Sequence, residues 1–332
     1  MTTMPAWASP LFASALSPGL RGADGEVLVW RIAADASTAT ITEQFKANAG
    51  EYHRRYAASD HFEHLFRQAL TATAIQVAER PTILDLGSGS GANSIEPCRR
   101  IFPGARMVAT DLSAELLAML ANDRLAAAAS GEVICVVMDA MSDHVAPGAF
   151  DLVTGAAILH HLDNPQQGVE AAARALRPGG HAIFHEPFNG WAIVRLAFER
   201  ILAEAELRGA PLDPPVDGAL RQLVADVAIR SRITRRTPGF TDLDDKWLFS
   251  RTRMEKWADA AGFATIRLVP HNDHASLYRD VAAVHLQLTA GRSDLELPAW
   301  ATNILDSFDE ALTLQAKREL MIEGAVVMTK GG

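Results

Sequence analysis

Cysteine is nearly missing from this sequence of 332 residues: Cys98 and Cys135 are the only two. One falls at an expected helix start and the other in an expected buried strand. Such a pair makes neither a disulfide framework nor a zinc set, and a reducing cytoplasm is the expected setting. Also lacking is any stretch of about eighteen uninterrupted apolar residues, so no membrane span is expected. The first twenty residues, MTTMPAWASPLFASALSPGL, are apolar but have no basic start, and Pro5, Pro10 and Pro18 interrupt them. They read as an irregular arm and not as a signal peptide. An excess of basic charge is missing as well. Lys and Arg number 31 against 40 Asp and Glu, a formal net charge of −9. That balance works against a general affinity for nucleic acid or anionic membrane.

What is present is a soluble globular composition, 48% apolar and 21% charged, and a regular alternation of elements between residues 81 and 187. TILDL, ARMVAT (105–110), EVICVVM (132–138), FDLVTGA (150–156) and HAIFHE (181–186) read as strands. Helical segments separate them, including about 114–129, with Ser113 as cap, and about 165–176. Mostly continuous apolar strands between helices predict a parallel sheet covered on both faces. Pro97 would break a helix starting at Gly91; with Ser94 as the cap it falls in the first turn, where its missing N–H costs nothing. Beyond Pro187 the pattern turns helical at 191–208 and 218–233, on either side of the proline-rich GAPLDPPVDG. Ser250 caps a helix over 251–261 that stops at Gly262. ATIRLVP (264–270) reads as strand, 274–290 and 298–319 as helix, and GAVVMT (324–329) as a closing strand.

The most informative stretch is ILDLGSGSGANS (83–94). A strand runs into three glycines, and Asp111 ends the next strand, in the position where an acid grips ribose hydroxyls in a doubly wound sheet. A dinucleotide fingerprint is G-x-G-x-x-G, whereas Gly87, Gly89 and Gly91 are spaced G-x-G-x-G. Asp85, two residues before the first glycine, would meet a pyrophosphate as an unwelcome charge but suits a cationic sulfonium nucleoside. Asp85 either touches such a ligand or holds the loop by hydrogen bonds. The chemistry favours S-adenosylmethionine over NAD.

With these motifs in order (ILDLGSGSG, MVATDLS, VVMDAMS, FDLVTGAAILHHLDN and ALRPGGHAIFHEP) the chain resembles the class I S-adenosylmethionine-dependent methyltransferases, in particular the ubiquinone/menaquinone-biosynthesis-like, small-molecule branch. The resemblance covers roughly residues 80–187. It implies an α/β fold: a Rossmann-like, doubly wound, mostly parallel sheet of seven strands, the last antiparallel, with helical N-terminal and inserted lid segments. The domain layout expected is an arm and helical lid (1–79), the donor-binding core (80–187), an acceptor-side helical insertion (188–249), and completion of the sheet over 250–332 with a helical insertion at 271–320. By the same resemblance, Gly87, Ser88, Gly89 and Gly91 approach the methionine and ribose, and Asp111 with Leu112 holds the ribose. Asp139 takes the adenine amino group between Met138 and Ala140, and Gly155 and Ala156 lie by the methionine. Tyr52 and Tyr56, in FKANAGEYHRRY, match a lid over the cofactor, and i, i+4 aromatics are equally ordinary core.

His160 and His161 are candidate bases or pocket walls. His185 and Glu186 either position an acceptor or satisfy loop backbone. A metal set drawn from His160, His161, His185, Glu186, His271 and His274 is weakly supported, because there is no helical HExxH, and no metal is expected. The activity expected is transfer of a methyl group from S-adenosylmethionine, leaving S-adenosylhomocysteine, to a small or mid-sized, partly apolar organic acceptor. Ile193, Leu196, Phe198, Ile201 and Leu202, or the segment TPGFTDLDDKWLF (237–249), are candidates to cover that acceptor. No NPPY-like motif of nucleic-acid methylation occurs, so a macromolecular acceptor is disfavoured; a homodimer is left open. The alternatives are an NAD(P)-dependent oxidoreductase and a non-catalytic nucleoside-binding protein.

Overall fold

The computed structural model describes residues 3–33, 60–126, 132–274 and 276–332. Nine strands make one sheet: β1 (Leu16–Pro18), β2 (Trp30–Ile32), β3 (Thr82–Leu86), β4 (Arg106–Asp111), β5 (Glu132–Val137), β6 (Phe150–Ala156), β7 (Leu176–Pro187), β8 (Phe263–Pro270) and β9 (Glu323–Lys330). Their spatial order is β1-β2-β5-β4-β3-β6-β7-β9-β8. From β2 across to β7 the neighbours are parallel. β9 runs antiparallel to β7 on one side and to β8 on the other, so the closing strand inferred at GAVVMT is the antiparallel one. The chain winds outward from β3 in both directions, through β4 and β5 one way and through β6 and β7 the other. The loop after β3 therefore opens at the point where strand order reverses, the crevice that ligands use in such sheets.

The expected count of seven strands is corrected to nine among the described residues. The N-terminal segment is not only irregular arm: Val29, Trp30 and Ile32 are buried, and β2 extends the sheet beside β5, with β1 antiparallel outside it. Both are three residues long, and Pro18 closes the outer one, as suits an edge where a missing N–H does no harm.

Both faces of the sheet are covered, which is why the strands read as continuous apolar runs. Leu84, Val108, Val136, Val153 and Phe184 face one core. Ile83, Met107, Cys135, Leu152 and Ile183 face the other. The helices are α1 (His61–Thr73), α2 (Ile95–Ile101), α3 (Ala114–Ala126), α4 (Pro165–Ala175), α5 (Trp191–Arg208), α6 (Pro214–Arg232), α7 (Arg251–Ala260), α8 (Leu277–Ala290), α9 (Ala299–Ala311) and α10 (Leu314–Glu319). Ser113 and Ser250 cap their helices, accepting from Leu116 N–H at 3.1 Å and Arg253 N–H at 3.2 Å. Among the boundaries that differ from the sequence reading, β7 begins at Leu176 instead of 181, and two helices change more. α6 starts inside the proline-rich segment, with Pro214 in its first turn, where proline is tolerated. The helix expected over 298–319 is broken at extended Leu312, and Thr313 caps a new one by accepting from Ala316 N–H.

The two helical insertions share one hydrophobic cluster: Trp191, Phe198, Ile201, Leu202, Leu220, Leu223, Tyr278, Val281, Leu286 and Leu305 pack together. Phe198, Ile201 and Leu202 are thus core of this bundle and Leu196 is exposed, so the apolar acceptor roof expected from them is not formed. No helix among the described residues is long and apolar enough to cross a membrane.

The bundle meets the sheet at Gly190, just before α5. A Cβ there would lie 2.1 Å from the Leu320 carbonyl oxygen and 2.4 Å from that of Met321. Gly218, within α6, has open space around it. Gly190→Ala should destabilise the protein by about 1–3 kcal/mol and Gly218→Ala should stabilise it by about 0.5–1 kcal/mol. Urea unfolding checks both signs.

Candidate active site

The glycine loop leaves β3 and is folded around a carboxylate. Asp85 is fully buried; its Oδ2 accepts from the Ser88 hydroxyl at 2.6 Å and the Ser94 hydroxyl at 2.5 Å, and its Oδ1 accepts from the Thr154 hydroxyl at 2.6 Å. Burial pushes its pKa up to about 6, against the pull of these three hydroxyls. Ser94 does start the helix at 95, as its sequence position suggested, but its side chain makes no cap bond, because the hydroxyl is turned back to Asp85. Gly87, Gly89 and Gly91 all have left-handed φ, +68°, +53° and +82°, which favours glycine. Space adds a second constraint: a Cβ on Gly87 would lie 2.4 Å from Ile158, and one on Gly91 would lie 2.5 Å from Leu120.

Three of the loop's N–H groups are spent inside the protein. Ser88 N–H donates to the Thr110 carbonyl at 2.7 Å, Gly91 N–H to the Ser88 carbonyl at 2.8 Å, and Gly89 N–H to Asp111 Oδ2 at 2.8 Å. Asp111 Oδ1 accepts from Ser113 N–H, so this acid both pins the loop and starts α3. Each carboxylate oxygen has two lone-pair positions, leaving capacity for further donors. Asp139, buried after β5, accepts from Met141 N–H at 2.9 Å; Met138 and Ala140 beside it are buried, and Leu112 is half-buried. Gly155 and Ala156, also buried, end β6. A Cβ on Gly155 would meet Ile158 and Phe184 at 2.7 Å. Tyr52 and Tyr56 lie outside the described residues.

Across the strand ends from this loop is a cavity of about 410 Å³. Asn93 and Ala157 connect it to the loop and to β6, His185 and Glu186 supply its floor, and the bundle contributes Trp191, Asp226, Arg230 and His285. Ala157 had no signal in the sequence, yet it has φ +61°, an uncommon conformation for a residue with a Cβ. Its N–H donates to the His185 carbonyl, and the bend it makes sends residues 158–161 across the sheet edge.

That turn hangs on Glu186. The carboxylate accepts from the N–H groups of Ile158, Leu159 and His160 at 3.2, 2.8 and 3.2 Å, and His160 Nδ1 lies 2.7 Å from it. Of the two roles open for Glu186 in the sequence, the geometry gives it the backbone. On the other edge of the His160 ring, Nε2 is 3.4 Å from Asp245, which Arg230 also reaches at 3.3 Å. Burial alone would lower the His160 pKa, but the Glu186 and Asp245 carboxylates outweigh it and raise it to about 9. The two carboxylates thus favour the charged ring, which argues against His160 as the base. His161 goes the other way, to about 3, because of burial and the adjacent His160 charge. Its Nδ1–H donates to the Asp244 carbonyl at 2.8 Å, and Lys246 fixes the turn from outside by donating to the His161 carbonyl.

Asp245 was missed as a site residue in the sequence, where TPGFTDLDDKWLF suggested acids near the pocket without singling one out. It joins His160 and His161 in a group whose ligand-type atoms lie within 4.8 Å of one another. The wider set considered for a metal does not assemble: His271 enters the cavity lining, while His274 is turned to Asp280.

Residues 84–184 match the family described as methyltransferase domain. An uncharacterised protein of Synechococcus is 32% identical over 183 residues, 54% of this chain and 42% of that protein. The ubiquinone biosynthesis O-methyltransferase of Cronobacter sakazakii is 36% identical over 125 residues, 36% of this chain and 49% of that enzyme. The chain thus spans about half the length of the curated relatives it matches. A solved Haloferax volcanii protein, described as a methyltransferase and complexed with the Trm112 methyltransferase activator, shares the fold. Its TM-score is 0.51 at 16% identity, over 88% of this chain and 100% of that one.

The His160 pair gives a pH signature. Its folded-state pKa, about 9, lies above the unfolded value near 6.5. The stability it contributes is therefore complete below pH 6.5 and is lost as pH rises through 9. Unfolding free energy should fall across this window by at most about 3 kcal/mol, and His160→Gln should flatten that part of the profile.

Proposed function

We propose that this chain, whose residues 84–184 belong to the methyltransferase-domain family, is an S-adenosylmethionine-dependent methyltransferase acting on a small organic acceptor. The observation that carries the donor assignment is the spent backbone of the glycine loop. A phosphate cradle needs N–H groups pointing at the anion, whereas Ser88, Gly89 and Gly91 give theirs to protein carbonyls and to Asp111. No Lys or Arg occurs between Ile83 and Ile95 to offset a pyrophosphate. Asp111 and Asp139, at the ends of neighbouring strands, supply acceptors for ribose hydroxyls and an adenine amino group, with Met138 and Ala140 as apolar walls. The donor set fits a nucleoside carrying positive charge. It does not fit a dinucleotide, and this weakens the oxidoreductase alternative.

When bound, S-adenosylmethionine supplies an electrophilic methyl on a sulfonium, a reaction whose demands on the protein are alignment and exclusion of water. Orientation alone is worth about 7–11 kcal/mol in favourable cases. This chain aligns through the fixed bend at Ala157 and the Glu186-bound turn, which set the wall between loop and cavity. The cavity, at about 410 Å³, suits a small-molecule acceptor. Its lining of histidines, Asp226, Arg230 and Asp245 is more polar than the partly apolar acceptor expected from the sequence, and favours an acceptor with hydrogen-bonding groups. The imidazolium of His160 is best suited to hold Asp245 and Glu186 in place.

Calorimetry with S-adenosylhomocysteine and with NAD tests the donor: binding of the first alone is expected, and binding of NAD alone overturns the assignment. Asp111→Ala should weaken S-adenosylhomocysteine binding by at least about tenfold, the worth of one charge-assisted hydrogen bond. A panel of phenols, catechols and amines, assayed for S-adenosylhomocysteine release, tests for an acceptor.

A further inference from the structure

The wall of the cavity opposite His160 carries titratable side chains that the donor site does not use. His185, at the end of β7, is 2% exposed. Its Nδ1 lies 3.0 Å from His271 Nε2, and its Nε2 is buried without a hydrogen-bond partner. His271, just past β8, has its Nδ1 3.9 Å from Glu323 Oε2, and its N–H donates to the Glu323 carbonyl. Glu323, the first residue of β9, is held on its other oxygen by His285 Nε2 of α8 at 3.2 Å. The Trp191 ring stands edge-on to His285 at 4.5 Å, and Phe66 stands edge-on to His185 at the same distance. His61, His185, His271, His285 and Glu323 all line the cavity.

The order of donors along this chain is set by its end. A carboxylate can only accept, so Glu323 favours a proton on His271 Nδ1 and on His285 Nε2. Between two imidazole nitrogens 3.0 Å apart one donates and the other accepts; with the His271 proton on Nδ1, towards Glu323, its Nε2 is the acceptor and His185 Nδ1 the donor. His185 is then protonated at Nδ1 and bare at Nε2. Burial, then the nearby His271 and His61, hold the His185 pKa well below 6.5, which favours the neutral ring with a bare Nε2. The histidines hold Glu323 well below its ordinary range, against burial that would raise it.

We propose that His185 is the general base of this site and that His271 and Glu323 are its positioning residues, so that the acceptor is a hydroxyl or amine that must shed a proton. This rests on the methyltransferase reading above. In the step, the acceptor's X–H bond breaks and its proton goes to His185 Nε2. The freed pair forms the bond to the methyl carbon, which leaves the sulfonium with the S–C pair remaining on sulfur. The imidazolium formed is stabilised through His271 by the Glu323 charge. A buried, unpartnered nitrogen is costly, and an acceptor's O–H or N–H is the partner that removes the cost.

Long-range ¹H–¹⁵N correlation spectra of histidine-labelled protein test the arrangement without an acceptor, with His185 assigned by its loss in His185→Asn. Wild-type His185 should show a protonated Nδ1 and a bare Nε2, and Glu323→Gln should raise the fraction protonated at Nε2. A wild-type His185 carrying its proton on Nε2, or an unchanged tautomer in Glu323→Gln, overturns the proposal. S-adenosylhomocysteine calorimetry on the same samples keeps the two readings apart: binding with the wrong tautomer removes the base alone, and failure to bind removes the donor assignment. On the acceptor returned by the panel, His185→Asn should lower kcat at least about 100-fold with donor affinity unchanged; undiminished kcat contradicts the base.

Discussion

The architecture of this site depends on one buried carboxylate. Asp85 sits at the end of the central strand, without solvent, and ties down hydroxyls from the loop (Ser88), from the start of the next helix (Ser94) and from the neighbouring strand (Thr154). Burying a charge is expensive unless its oxygens are satisfied, and here three short hydrogen bonds do so. The consequence is geometric. With Ser88 and Ser94 both drawn to one oxygen, the backbone between them has to bulge, and it does so through three left-handed glycines. The bulge spends the N–H groups of Ser88, Gly89 and Gly91 inside the protein, and that makes it a poorer phosphate cradle and a more suitable wall for a nucleoside.

A second carboxylate repeats the device one strand pair away. Glu186 gathers three backbone N–H groups and a histidine ring into the turn after β6, just as Asp85 gathers hydroxyls into the loop after β3. Between them the two acids fix both rims of the crevice at the point where strand order reverses. The helical bundle then closes the far side, bringing Asp245 and Arg230 onto His160 and placing His285 beside Glu323. Site residues from the start and the end of the chain meet only because β9 inserts between β7 and β8.

Much of this was legible in the sequence, and the reasons differ by element. Five of the six parallel strands announced themselves as apolar runs because both faces are buried. Ser113 and Ser250 were readable as caps because their side chains bond locally. The loop and Asp111 were found from spacing, since the glycines answer a backbone requirement that no other residue meets as well. Ser94 was read correctly in position and wrongly in role, because its hydroxyl is taken by Asp85, a buried residue of β3 nine positions earlier. The two N-terminal strands escaped notice because three residues are too few to show a period. Ala157 carries its strain without any mark in its identity. Of the chain His185–His271–Glu323–His285, the sequence offered His185 as a candidate to position an acceptor and His271 only in a weak metal set, and Glu323 and His285 escaped because the members come from four elements far apart along the chain.

The most direct test of the account is the affinity of Asp85→Asn for S-adenosylhomocysteine, measured by calorimetry beside its unfolding free energy. The amide presents a donor where two hydroxyls now donate, so the loop should lose its shape while the sheet survives. The account predicts a folded protein whose affinity falls at least about tenfold, a difference of about 1.4 kcal/mol. A folded variant that binds as tightly as the parent would contradict it.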